Sequence, residues 1–159
     1  MIGFKETAKV VLLAAGLILS NAAQAAGTVS PAAQNGNSDK PGATYGLGDR
    51  GPQGGKVYYV DASGEHGLEA KATDEINSLS WSDAVTAASA YGAGWHLPTK
   101  TELKMLYEQK NAVGGFAKDD YWSATELDSN SAWIQGFVNG DQDRYNKYSK
   151  LSVRAVRAF

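Results

Sequence analysis

Gly94-Trp95-His96-Leu97-Pro98-Thr99-Lys100-Thr101-Glu102-Leu103-Lys104-Met105-Leu106-Tyr107 is the stretch that sets the architecture, because it holds a helix start legible residue by residue. Thr99 and Glu102 stand at capping-box spacing. The threonine hydroxyl can accept from the amide three residues on, and the glutamate can reach back to the Thr99 amide. Pro98 has a locked φ and fixes the approach. Leu103, Leu106 and Tyr107 recur at helical spacing and form one apolar stripe. The pattern predicts a helix that ends before Gly114-Gly115. Upstream, Ser80 is a good N-cap, with Asp83 near the positive end of a first helix. Trp81, Ala84, Val85, Ala88 and Tyr91 fall on one face of it, and Gly92 and Gly94 close it.

Strands flank the two helices. Lys56 to Asp61 is β-branched and aromatic between Gly54-Gly55 and Ser63-Gly64, and Leu68-Glu69-Ala70 is placed to be its hairpin partner. Tyr121-Trp122-Ser123 is a short aromatic run. Ala132 to Val138 reads as a strand closed by the turn pair Asn139-Gly140, with Arg144 to Tyr148 pairing back. Leu151 to Phe159 reads as a last strand, with Leu151, Val153 and Ala155 on one face and Ser152 and Arg154 on the other. Strand, helix, helix and then several strands is an α+β order rather than an alternating one.

Further out lies an export address. Lys5 and Lys9 precede the apolar run Val10 to Leu19, followed by Ala23-Gln24-Ala25. This is the pattern of a secretory signal over residues 1–25, and the run is too short to span a bilayer. Residues 26–49 are rich in Ala, Gly, Ser and Asn and read as a flexible leader. The working domain is then 50–159. The chain of 159 residues is 43% hydrophobic and 20% charged, an ordinary globular composition. A formal net charge of −2 offers no basic excess for nucleic acid. The absence of cysteine removes thiol chemistry, disulfides and Cys-based zinc sites. The expected destination is the periplasm, the cell surface or the medium, with no membrane span in the mature chain.

Four segments occur in a telling order: Gly94-Trp95-His96-Leu97-Pro98-Thr99, Tyr121-Trp122-Ser123-Ala124-Thr125-Glu126, Ala132-Trp133 and Val153-Arg154-Ala155-Val156-Arg157. With the opening Lys56 to Ala70, they resemble the bacterial domain of unknown function typified by the C-terminal domain of the Legionella collagen-like adhesin. The resemblance covers nearly all of 54–159. It implies a fold of the C-type lectin-like and sulfatase-modifying-factor group. In that group the terminal strands pair, two helices pack on a small, mainly antiparallel sheet, and a loop-rich region presents ligands. The typifying adhesin binds sulfated polysaccharides. One departure is His96, where the family commonly has arginine.

Trp81, Trp95 and Trp122, with Leu103, Leu106 and Val153, are assigned to the core. His66 and His96 stand in no metal-ligand spacing, and no Gly-x-Ser-x-Gly elbow is present. Asp141-Gln142-Asp143 opens like a calcium loop but has Asn146 where glycine and Ser152 where glutamate belong. The lectin tripeptides Glu-Pro-Asn and Gln-Pro-Asp are absent as well, so no metal or cofactor is expected. The candidate ligand surface is the polar, tyrosine-bearing segment 139–150. From it Asn139, Asp141, Asp143, Arg144, Tyr145, Asn146, Lys147 and Tyr148 are taken together with Trp133. Sulfatase-modifying relatives act through cysteines, which this chain lacks, and no other catalytic constellation is visible. The sequence thus favours an exported, non-catalytic, calcium-independent module that binds a glycan or protein. A periplasmic structural or assembly protein with an envelope-protein partner is the alternative. Oligomeric state is left open.

Overall fold

The computed structural model describes residues 42–159. The expected signal at 1–25 and the leader as far as residue 41 lie outside the described residues. Two three-stranded antiparallel sheets carry the fold. In the first, β1 (Lys56–Val60) and β2 (Gly67–Ala70) form a hairpin, and β6 (Val156–Ala158) pairs with β2. The C-terminal strand therefore joins the N-terminal hairpin through its second strand, with Gly67 and Phe159 exchanging backbone hydrogen bonds. The second sheet has the order β3 (Asp120–Glu126), β4 (Ser131–Gly136), β5 (Gln142–Asn146). β5 starts and ends two residues before the 144–148 expected for it.

Helix α1 is Trp81–Ser89, with the Ser80 side chain accepting from the Asp83 amide. Helix α2 is Lys100–Glu108 and carries both halves of the capping box, Glu102 N–H to Thr99 Oγ1 and Thr99 N–H to Glu102 Oε2. Gln109 leaves helical geometry, and a single further turn, α3 (Lys110–Val113), precedes Gly114. The helical stretch thus stops before the glycine pair, but in two pieces. Gly115, at φ 71°, is fixed by crowding as well, since a Cβ there would lie 2.8 Å from the Ala72 carbonyl oxygen.

One core cluster joins Ala84, Ala88, Trp95, Leu97, Trp122, Ala132, Ile134, Leu151, Val153 and Ala155, with Trp81 half-buried against it. A second joins Tyr58, Ala70, Leu103, Leu106, Val113, Tyr121, Phe137 and Val156. Three expectations are corrected by this packing. First, the face of α1 is narrower than its spacing implies: Ala84 and Ala88 are buried, while Val85 and Tyr91 are exposed. Second, residues 42–49, assigned by composition to the leader, are tied to the domain. The Tyr45 amide donates to Gly64, Gly48 to Val57, and Val57 back to Asp49. Third, the last segment does not separate an inner from an outer face, because Leu151 through Val156 are all buried.

The reason is that this segment has neighbours on both edges. The carbonyls of Leu151, Val153 and Ala155 accept from Leu79, Glu75 and Lys71, while Ser152 bonds to Asp120 and Trp122, and Val156 to His96. It runs as a spine between the sheets. Alternation reports solvent only when one face of a strand is wet. Arg154 is consequently enclosed. Its Nε donates to Asp74 Oδ1 at 2.7 Å, Nη1 to the Lys71 and Gly114 carbonyls, and Nη2 to Gly115. Its guanidinium also lies 4.0 Å from the Phe116 ring centre. Tyr121 donates to the other oxygen of Asp74, which also accepts from the Ala117 amide. Burial, then this bond to a carboxylate, pushes the Tyr121 hydroxyl pKa far up. The phenol stays protonated and keeps its place in the network.

Candidate functional site

The segment 139–150 folds as a turn, the edge strand β5 and a second turn, and it divides the candidate residues among several surroundings. In the first turn Asn139 and Asp141 satisfy each other: Asn139 Nδ2 donates to Asp141 Oδ2, and the Asp141 amide donates to Asn139 Oδ1. Gly140, at φ 86°, sits so close to Tyr107 that a Cβ would meet its ring at 2.8 Å. The turn is thereby pressed onto α2.

Register then sorts the strand. Trp133 stands opposite Arg144, Gln135 opposite Gln142, Ala132 opposite Tyr145 and Ile134 opposite Asp143. Directly opposed residues share a face. Trp133 and Arg144 therefore lie on the α2 side, where Lys100 Nζ sits 3.0 Å from the Trp133 ring centre and Gln142 Nε2 donates to the Lys100 carbonyl. Asp143 and Tyr145 lie on the opposite face with Ala132 and Ile134. The Asp143 carboxylate accepts from the Arg144 amide. Arg144 is exposed, and its guanidinium has no hydrogen bond or ion pair among the described residues.

The second turn leads to a concavity. The Asn146 side chain accepts from the Tyr148 amide, and Lys147 turns inward. Lys147 Nζ donates to Glu126 Oε2 at 2.5 Å, to the Asp128 carbonyl at 2.9 Å and to the Ser129 carbonyl at 3.2 Å. An ammonium has three donors, and all are used. Its Nζ lies 4.6 Å from the Trp81 ring centre. Ser80, Trp81, Ser82, Ser129, Asn130, Lys147 and Tyr148 line a cleft of about 290 Å³. Backbone bonds hold its walls together: Trp81 N–H to Lys147 O, and Lys147 N–H to Asn130 O. The indole N–H of Trp81 is committed to the Ser123 carbonyl at 2.9 Å.

Sequence reasoning placed Trp81 in the core and overlooked Ser80, Ser82, Ser129 and Asn130 as surface partners of Tyr148. Ser80 was read only as a helix cap, which it also is. The polar run Asp128-Ser129-Asn130-Ser131 was the available signal, but nothing in its spacing says that it meets residues near position 81. Trp95, Trp122, Leu103, Leu106 and Val153 are buried in the two clusters and take no part in this surface.

The histidines stand elsewhere. His66 lies in the β1–β2 turn. His96 Nδ1 faces the Gly94 carbonyl, and Nε2 lies 3.3 Å from both oxygens of Glu102. The Glu102 carboxylate raises the His96 pKa above the ordinary imidazole value. Burial pushes Glu102 up, but the bonds from His96 and Thr99 outweigh it and hold the carboxyl below its usual range. His96 thus supplies a titratable partner to the capping glutamate. Among the described residues no three acidic or imidazole side chains converge as a metal site, and no helix is long and apolar enough to cross a membrane.

The architecture defines a mixed α+β domain whose edge hairpin and adjoining cleft carry exposed aromatic and small polar groups. The chain belongs to the Lcl C-terminal domain family, whose model matches residues 58–157. No curated protein matches the chain.

Proposed function

We propose that this protein is an exported, non-catalytic recognition module that binds a glycan or protein ligand, independently of calcium, through the surface formed by β5, its second turn and the Trp81 cleft. The observation that carries the reading is the exposure of Tyr148 and Tyr145, at 85% and 45%, on a segment held by the β4 pairing and by the Lys147 backbone bonds to Asn130 and Trp81. Large, stiff aromatic side chains held out into water lose little entropy when covered, which suits them to recognition. Family membership supports an adhesin-associated role, and the signal pattern at 1–25 supports export to the periplasm or beyond.

A second reading, an envelope assembly protein, is favoured by one feature. β5 pairs with β4 alone, so its outer edge is open among the described residues and could accept a partner strand. The test is a glycan array run beside a pull-down from envelope extract, using the mature chain and its Tyr145→Ala/Tyr148→Ala variant. Binding that disappears in the variant supports the recognition surface. Binding that survives the double change removes it.

A further inference from the structure

We propose that the Trp81–Tyr148 cleft is a subsite for one uncharged, hydroxyl-rich sugar ring. This rests on the recognition reading and narrows it to a place and a ligand class.

Size comes first. A volume of about 290 Å³ lies just below the roughly 300–1,000 Å³ range of small-molecule pockets. It suits a single ring better than a row of side chains. Composition comes next. Tyr148 is 85% exposed and makes no ring contact or side-chain hydrogen bond among the described residues. Its face is an apolar platform for the C–H side of a sugar, and its hydroxyl is a polar handle. The Asn130 side-chain carboxamide and the Ser129 hydroxyl have no protein partner among the described residues, although the Asn130 backbone N–H donates to Asp128 Oδ1, and Ser82 Oγ has only a 3.4 Å contact with Ser80 Oγ. These groups both donate and accept, as sugar hydroxyls do.

Charge decides between a neutral and an anionic ligand. Among the described residues, Lys147 is the only charged one lining the cleft. Its side chain is 14% exposed, and its donors are spent on Glu126 and two carbonyls. A sulfate or carboxylate would have to displace the Glu126 carboxylate to reach it, whereas an uncharged ring needs nothing from it. Of the neighbouring basic residues, Arg144 is unpaired and Lys100 rests on Trp133, both on the other face of the sheet, and the exposed Lys150 does not line the cleft. An anionic group would therefore meet no free cation inside the cleft. Preorganisation completes the case, since hydrogen bonds from Trp81 and Lys147 already hold three separate chain segments at the cleft.

The test is an NMR titration of the isotope-labelled mature chain with chitohexaose, mannohexaose and dextran, and in parallel with dextran sulfate and heparin, each at low and high salt. A neutral glycan is expected to move the amide resonances of Ser82, Asn130 and Tyr148 with an affinity that salt leaves unchanged. Tyr148→Ala and Asn130→Ala are each expected to weaken it by about tenfold, a hot-spot effect, and Arg144→Ala to leave it intact. Binding by the sulfated polymers alone, fading with salt and lost in Arg144→Ala, would overturn the sugar-ring subsite while leaving a recognition module in place. If no glycan perturbs the spectrum, the subsite is wrong; capture of an envelope protein that needs Tyr145 and Tyr148 would then leave the broader reading standing on a protein ligand.

Discussion

Arg154 and Lys147 are both basic residues beside an aromatic ring, and they sit in two regions built on opposite terms. At Arg154 the charge is enclosed: four hydrogen bonds go to Asp74 and three carbonyls, Phe116 covers the guanidinium, and Tyr121 completes the carboxylate. That region joins the loop after β2 to the loop after α3 and has nothing left to offer a ligand. At Lys147 the head is also spent, but it braces a wall whose other members, Tyr148, Ser129 and Asn130, face water. Residue type does not separate structure from recognition here; what surrounds each side chain does.

The largest expected effect breaks the enclosed region. Arg154→Ala removes the fully enclosed partner of the half-buried Asp74 carboxylate and of three carbonyls, and should cost about 3–5 kcal/mol in denaturant unfolding. A loss below about 1 kcal/mol would be the size of an exposed pair and would contradict the enclosure. Next, the two tryptophans that hydrogen-bond across the first core cluster should part company. Trp122→Ala removes a fully buried ring and should cost about 3–5 kcal/mol. Trp81→Ala, half-buried at the cleft, should cost measurably less. Equal losses would return Trp81 to the core.

A smaller effect concerns His96. Its folded-state pKa is raised by Glu102, so the contact contributes stability below the unfolded value of about 6.5 and loses it as pH rises through the higher folded value. Unfolding midpoints measured across that window should fall with rising pH in the parent chain. They should fall less in His96→Arg, whose charge persists. Identical pH profiles would remove the pairing. The smallest effect is expected from Tyr148→Ala and Arg144→Ala, exposed side chains whose removal should change stability by no more than about 0.5 kcal/mol. A larger loss in either would mean that its surface is structural after all.

Legibility in the sequence followed the range of the interaction. The α2 capping box and the Ser80 cap were readable because donor and acceptor lie within three residues. The first hairpin and the β4–β5 pairing were readable from β-branched and aromatic residues and from turn residues, with β4 ending two residues before the expected 138 and β5 shifted by two. Arg154 was not, since its partners are 39 to 83 residues away and its segment is wet on neither face. The leader boundary failed for a related reason: residues 42–49 are mostly small, and what holds them is backbone bonds to the first hairpin and the Tyr45 ring against Phe159, far away in sequence. The cleft was half visible. Composition drew attention to Tyr145 and Tyr148, but the meeting of Trp81 with Lys147 depends on a backbone hydrogen bond across the fold.

The most direct test of the division between the two regions is to measure ligand binding and thermal unfolding together on the chain and its Tyr145→Ala/Tyr148→Ala variant, using the glycan or protein that the parent captures. The account predicts that binding is lost while the unfolding midpoint stays within error of the parent. Binding retained at parental strength, or a midpoint that collapses with it, would contradict the claim that this hairpin is the recognition surface and the Arg154 region the support.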